Sequence, residues 1–504
     1  MKNRYIKRWA GAALVACLSL AGSSCKKILD LQPHTSTFTE AYFKTQQDAR
    51  TALAGAYALL RNNLISNNSW HIYGDVTAGE FDINRGLDAF TYPITYGEFV
   101  GLNVQSFNWN WSGYYQLLQQ INLIINKVPG IPVASFEDPA EKARILSEAY
   151  FLRAFTYFYM SRIWGDVPLK LEPDLDISQA KNIPRSPAAT VLAQCLADCN
   201  QAEQGLVFGY ANSDEMAVRA NKGTVLALKA HIQAWTYDYA ACEKTTDSVI
   251  HYGQYDLLDS SDYKKVFIGK TVEGIFEINL NYSQNEAFSP RANNGYSLPT
   301  ISTPFLPTQP NLNWPISQIY IKILYPDHDT TYYTPPETFD TLKDVRYRTF
   351  YYHATTSSGQ TLKYSNFIFP DGAAKQDPRL SNNMNIFRLP DMYLLRAEAL
   401  DSLGNRAEAI NMLNVIKARA GLLPYVDTPN APELKHTIVK ERLREFFYEG
   451  QSFYDLVRTH TVSDFNTNFS DGQVQAGGWM WPVDPALFKD DFTLTQTPYW
   501  SGKL

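Results

Sequence analysis

Tyr393-Leu394-Leu395-Arg396-Ala397-Glu398-Ala399, with Ala409 twelve positions beyond Ala397 and then Leu413 and Ile416, is the stretch that decides how this chain folds. Small residues at that interval let two antiparallel helices approach closely where they cross, while larger apolar residues fill the neighbouring grooves. This is tetratricopeptide spacing. Ala230 and Cys242 repeat the interval earlier in the chain, with cysteine standing in for alanine.

Working outward, the helical signals come in pairs. An alanine- and leucine-rich amphipathic segment, 46–65, pairs with 111–128, which ends in front of Pro129. A second pair begins at Ser147-Glu148-Ala149-Tyr150-Phe151-Leu152-Arg153-Ala154-Phe155 and, after the turn-like Gly165-Asp166-Val167-Pro168, continues over 187–204. The third is 222–238 with 240–251, and the fourth carries Ala397 and Ala409. Two insertions interrupt this order. Residues 66–110 form a polar and aromatic stretch much longer than the few residues that normally join packed helices. Residues 264–379 hold β-prone runs, Gly274-Ile275-Phe276-Glu277-Ile278 and Tyr347-Arg348-Thr349-Phe350-Tyr351-Tyr352. Between those runs, Pro290, Pro299, Pro304, Pro307, Pro310 and Pro315 prevent a long helix or a central strand. Irregular segments on a rigid helical scaffold are where binding surfaces are commonly built.

The amino end reads as an export signal: Lys2, Arg4, Lys7 and Arg8, an apolar run of about 13 residues from Trp9 to Ala21, then Gly22-Ser23-Ser24-Cys25. That run is too short for an ordinary membrane span of ~20 residues. Residues 1–24 are therefore expected to be a signal peptide and Cys25 the lipidated (palmitate-bearing) first residue of the mature protein. A leucine usually lies three positions before such a cysteine; here Gly22 occupies that place and Leu20 lies two further back. The alternative is an ordinary cleaved signal that leaves Cys25 free. Removing the four signal-peptide cations shifts the net charge from −6 to −10, and no basic block interrupts the acidic balance, which argues against nucleic acid as a partner. Cys195, Cys199 and Cys242 have no framework spacing and are expected in the core.

Several segments together resemble the SusD/RagB family of outer-membrane nutrient-binding lipoproteins. They are Cys25-Lys26-Lys27-Ile28-Leu29-Asp30-Leu31-Gln32-Pro33, the 148–154 and 165–168 runs, Arg388-Leu389-Pro390-Asp391-Met392 with the 393–399 stretch, 440–450 followed by 453–458, and Leu494-Thr495-Gln496-Thr497-Pro498-Tyr499. The resemblance implies a mostly α fold, with divergent tetratricopeptide-like helix pairs in a right-handed superhelical layer, long ligand-binding loops and a few short β-strands. It divides the mature chain into an N-terminal region, 25–270, and a C-terminal region, 271–504, packed as one body. It also implies a lipid-anchored, surface-exposed protein of the outer membrane that binds oligosaccharides and delivers them to a SusC-like TonB-dependent transporter, the helical layer facing that partner. Peptide cargo is the near alternative, and a tetratricopeptide scaffold for proteins the distant one.

Sugar binding asks for flat aromatic faces and directional polar groups. The first insertion offers Trp70, Tyr73, Phe90, Tyr92, Tyr96 and Trp109; the second offers Tyr282, Tyr296, Trp314, Tyr332 and Tyr333. Trp70, Trp109 and Trp314 are the preferred stacking platforms because their neighbours are polar, with Tyr73 and Tyr296 beside them as candidates. Asp75, Asp82, Asn84 and Arg85 are candidate readers of hydroxyls, against an alternative of turn and capping chemistry. Trp111 instead opens a core stripe with Tyr114, Tyr115, Leu118 and Ile121. Glu441, Glu445 and Glu449, at four-residue spacing, read as structural carboxylates neutralised by Arg442, Arg444 and Arg458 rather than a glycosidase pair. The eight histidines show no metal-ligand spacing and there is no phosphate-binding glycine motif, so no metal, no cofactor and no enzymatic reaction are expected.

Overall fold

Thr45 opens the first helix through a capping box: the Thr45 hydroxyl accepts from the Asp48 amide and the Asp48 carboxylate accepts from the Thr45 amide. This computed structural model describes residues 42–101, 106–284, 286, 299–326 and 344–503. The signal segment 1–24, Cys25, Tyr296, Tyr332 and Tyr333 lie outside the described residues. Residues 45–173 and 182–503 belong to one compact unit.

Helix α1 (Gln46–Ile65) pairs with α2 (Ser112–Lys127), which gives way to a 3-10 turn at Val128–Gly130 as Pro129 requires. Helix α3 (Pro139–Trp164) starts eight residues earlier than the apolar run at Ser147 suggested. Pro139 occupies its first turn and Asp138 caps it by accepting from the Ala140 amide. That first turn is polar, so hydrophobic periodicity misses it. From Ser147 onward α3 is buried on nearly every face, the mark of a central helix. Gly165, at φ 75°, ends it, and the Asp166 carboxylate accepts from the Ala188 amide at 2.8 Å, tying the end of α3 to the first residue of α4 (Ala188–Gly205). The Gly165-Asp166-Val167-Pro168 run is thus a helix stop followed by a two-residue strand, Val167–Pro168, that pairs antiparallel with Arg185–Ser186.

Helices α5 (Lys222–Trp235), α6 (Tyr239–Tyr252), α7 (Leu389–Ser402) and α8 (Arg406–Arg419) complete the hairpins. Each of the eight packs on the next in order, and α6 meets α7 across the long second insertion. Ala230, Cys242, Ala397 and Ala409 are fully buried. Ala397 and Ala409 share one apolar cluster with Leu394, Leu413, Ile416 and Ile438, the last from α9 (Leu434–Glu445). Helix α10 (Ser452–Thr459) follows. Cys195, Cys199 and Cys242 are buried free thiols. The first three hairpins lie within 25–270 and the fourth within 271–504.

Strand β1 (Gly274–Ile278) pairs antiparallel with β2 (Met384–Arg388), Phe276 opposite Phe387 and Glu277 opposite Asn385. The β-prone reading of 347–352 is corrected. Val345–Phe350 is helical, started by Asp344, which accepts from the Arg346 amide, and only Tyr351–Tyr352 is strand. Tyr347, Phe350 and Tyr351, spaced by three and four, supply the buried face of that turn.

Candidate functional site

The two insertions meet. Asp82 and Asn84 donate their amides to the carbonyls of Pro315 and Asn313 at 2.8 and 3.0 Å, Ser317 donates to Glu80 at 2.8 Å, and Phe81 and Ile316 form an antiparallel bridge. Trp314 Nε1 donates to Asp88 Oδ2 at 2.8 Å, and the Asp82 carboxylate accepts from the Gln318 amide at the start of the short helix Gln318–Leu324. The chain has thereby fastened residues 80–88 to 313–318 through backbone groups, leaving many side chains of the segment outward.

Those outward side chains are aromatic and polar. Asp82, Asn84 and Arg85 are exposed, and Phe90 and Tyr96 leave 48% and 44% of their surface to water. Arg85 lies 5.7 Å over the Tyr92 ring, and Tyr92 and Tyr96 face each other with centroids 5.2 Å apart. The neighbouring Tyr92 hydroxyl, together with partial burial, pushes the Tyr96 phenol up to about 12, so Tyr96 is a neutral hydrogen-bonding group at ordinary pH. Ile319, 69% exposed, adds an apolar face on the adjoining helix. Rings, a guanidinium, an amide and a carboxylate are the chemistry suited to a hydrated, hydroxyl-rich ligand.

The preferred platforms are corrected. Trp70 is fully buried, stacked on Tyr159 at 5.4 Å, and donates its indole N–H to the Glu449 carbonyl. Tyr73 is buried against Trp481 and Trp164 and donates to the Asn108 carbonyl at 2.6 Å. Asp75 is buried, bonded to His71 Nδ1 at 2.6 Å and accepting twice from the Gly450 amide. Trp314 is buried beside Phe81. Each therefore fixes the base of the loops and presents no face to a ligand. The physical reason is area: an indole or phenol whose polar tip finds a partner gains more from packing than from water. Trp109 is half-buried with its N–H bonded to the Phe99 carbonyl, so only part of its ring is open. Asp82, Asn84 and Arg85 remain on the surface. Phe90, Tyr92 and Tyr96 were visible as loop aromatics, but nothing in the sequence set them above the tryptophans.

The three glutamates of the 440–450 segment are locked in a buried ion network. Arg346 pairs with Glu441 and Glu445 at 2.7 and 2.8 Å; Arg388 pairs with Glu273, Glu445 and Glu449; Lys363 pairs with Glu449 at 2.6 Å. Burial would raise the Glu445 carboxyl, but Arg419, Arg388 and Arg346 hold it well below the usual range. Arg442 and Arg458, expected beside these glutamates, serve Asp391, Asp455 and Glu398 instead. Only Arg444, 3.4 Å from Glu441, pairs as expected. No group of three or more His, Cys, Asp or Glu among the described residues could hold a metal ion, and no helix among them is long and apolar enough to cross a membrane.

Comparison with known proteins places this geometry in context. Residues 291–500 match the family described as SusD family, and residues 27–233 match the one described as starch-binding associating with outer membrane. A SusD-like protein of Formosa agariphila is 28% identical over 468 residues, covering 87% of this chain and 88% of its own. Among solved structures, a SusD homolog from Bacteroides thetaiotaomicron aligns with a TM-score of 0.75 at 25% identity, over 90% of this chain and 98% of that one. A laminarin-binding SusD-like protein shares the fold, with a TM-score of 0.69 at 21% identity, over 90% and 100% of the two chains.

Proposed function

Because the chain belongs to the SusD family, we propose that it is a surface-exposed, lipid-anchored outer-membrane protein that binds oligosaccharides and passes them to a TonB-dependent transporter, performing no reaction itself. The observation that carries the binding reading is the exposed Phe90 and Tyr96 and the half-buried Tyr92, with Asp82, Asn84 and Arg85, held on a base whose own aromatics are buried. A flat ring takes the C–H face of a sugar while the polar neighbours take its hydroxyls, and because the site is open, much of the ligand stays hydrated. Affinity per site is then modest, and delivery depends on capture close to the transporter. The names of the matched family and of the laminarin-binding neighbour support a glycan as cargo.

The amino-terminal sequence supports the anchor: a cationic start, a short apolar run and Cys25. Mass spectrometry of the mature amino terminus is expected to find acylated Cys25, and Cys25→Ser to release the protein from membranes.

Affinity electrophoresis through gels containing laminarin or starch tests the cargo. Retardation of the wild type, lost in a Phe90→Ala/Tyr96→Ala double variant, is the expected result. Migration unchanged in both gels, with capture of labelled peptides instead, would overturn the glycan reading in favour of peptides. Release of reducing ends would overturn the statement that no reaction occurs.

A further inference from the structure

A second aromatic feature lies outside the loops, at the ends of the helices. Tyr237, just past α5, and His460, just past α10, both sit in the left-handed region at φ 61° and 57°. Helix ends commonly use glycine or asparagine in that conformation; a larger residue there is strained by ~1–3 kcal/mol. Packing repays such strain where the side chain is buried. Here the Tyr237 ring is 51% exposed, so burial is not the reason. The two strained residues meet each other instead. Their rings stack with centroids 5.8 Å apart and 21° between planes, and the Tyr237 hydroxyl lies 3.1 Å from His460 Nε2.

This stacked pair lines a cleft of about 410 Å³ formed by the α5–α6 turn, the C-terminal ends of α7 and α10, and the start of α9. That volume falls within the ~300–1,000 Å³ range of small-molecule sites. Its lining includes a charge-neutralised polar group: Arg458 donates two bonds to Glu398 at 2.8 and 2.7 Å, and Tyr239 donates its hydroxyl to the same carboxylate at 3.3 Å. Lys435, Asp401 and Glu433 also line it. The cleft shares no residue with the loop cluster of 82–96 and 313–319.

We propose that this cleft is a second saccharide subsite, in which the paired Tyr237 and His460 rings carry a pyranose face while Glu398, Tyr239 and Lys435 hydrogen-bond its hydroxyls. This rests on the glycan reading of the loop site and extends it to a chain touching two places on one molecule. An aromatic wall beside polar groups suits a neutral polyol better than an apolar peptide anchor, which would displace water from those groups without replacing its hydrogen bonds. Two weak contacts on one polymer raise avidity without either becoming tight.

The test uses the mature protein in laminarin and starch affinity gels, with the Phe90→Ala/Tyr96→Ala loop variant, Tyr237→Ala, His460→Ala and Tyr237→Phe. Retardation of the wild type is expected to fall about three- to tenfold in Tyr237→Ala and in His460→Ala, with Tm unchanged, while Tyr237→Phe keeps the ring and most of the retardation. Cleft variants that migrate like wild type, while the loop variant loses retardation, would overturn the second subsite and leave the loop reading intact. If the wild type itself is not retarded, both readings fall. Peptide capture that depends on Tyr237 would also overturn the saccharide assignment.

Discussion

Arg388 shows how much of this molecule depends on charges that never meet water. Its guanidinium donates to Glu449 at both carboxylate oxygens, to Glu445 and Glu273, and to the Glu445 carbonyl, and it lies 4.6 Å over the Phe446 ring. Removing Arg388 leaves Glu273, Glu445 and Glu449 buried with only Arg346, Arg419 and Lys363 to share, an under-compensated buried negative charge that costs about 3–5 kcal/mol. Arg388→Met is expected to lose that much in urea unfolding. Arg388→Lys is expected to recover little of it, since an ammonium lacks the planar fork. The sequence showed that Glu441, Glu445 and Glu449 are structural. It could not name their partners, because Arg346, Lys363 and Arg388 lie 57 to 99 residues from the glutamates they bond. Glu277 makes a second residue-level prediction. Burial raises its carboxyl to about 7; Oε2 accepts from the Lys270 amide and Asn383, while Oε1 has no hydrogen-bond partner among the described residues. A carboxyl raised on folding favours the protonated form. Its stabilisation is therefore complete below the unfolded value near ~4.3 and is lost as pH rises through about 7. Glu277→Gln is expected to flatten that part of the pH dependence of Tm between pH 4.5 and 8. A slope equal to that of wild type would contradict the assignment.

At the scale of elements, the twelve-residue interval between small side chains identified real helix crossings. Ala230, Cys242, Ala397 and Ala409 are all buried at hairpin contacts, and helix boundaries fell within a few residues wherever an apolar stripe ran to the end. The stripe failed where polarity hid the helix, as in the first turns of α3, and where aromatic residues mimicked a strand, as in Val345–Phe350. Substituting a larger side chain at a crossing tests the packing account directly. Ala397→Leu is expected to destabilise by about 1–3 kcal/mol through overpacking against the cluster containing Ala409 and Leu413. Cys242→Ala, which keeps a small side chain at its crossing, is expected to cost ~1 kcal/mol or less. Thermal unfolding of the two variants side by side checks the contrast, and equal losses would mean that the small residue is not what sets the helix separation.

Over the whole molecule, the division of labour between base and rim was only half legible. Both insertions stood out by length and aromatic content, and Asp82, Asn84 and Arg85 do reach the surface. Which aromatics face outward was not readable, because burial is decided by contacts distant in sequence. Glycine at 450, with φ 74°, lets the chain pass so close to Trp70 that a Cβ there would clash with its indole, and Gly74 makes the reciprocal approach to the Gly450 backbone. The 440–450 segment and the first insertion are therefore one joint, with Trp70 inside it. This arrangement separates two kinds of loss that a binding assay alone would confuse. Trp70→Ala is expected to cost about 3–5 kcal/mol of folding free energy, since it empties a fully buried indole site, and any loss of glycan retention should track the unfolded fraction. Phe90→Ala/Tyr96→Ala removes half-exposed rings and is expected to leave Tm within a degree or two while lowering glycan affinity about tenfold, or ~1.4 kcal/mol. Measuring Tm and retention on the same preparations decides it: if the Trp70 variant stays folded yet loses binding, the joint itself contacts ligand, and the binding surface extends from the rim into the supporting core.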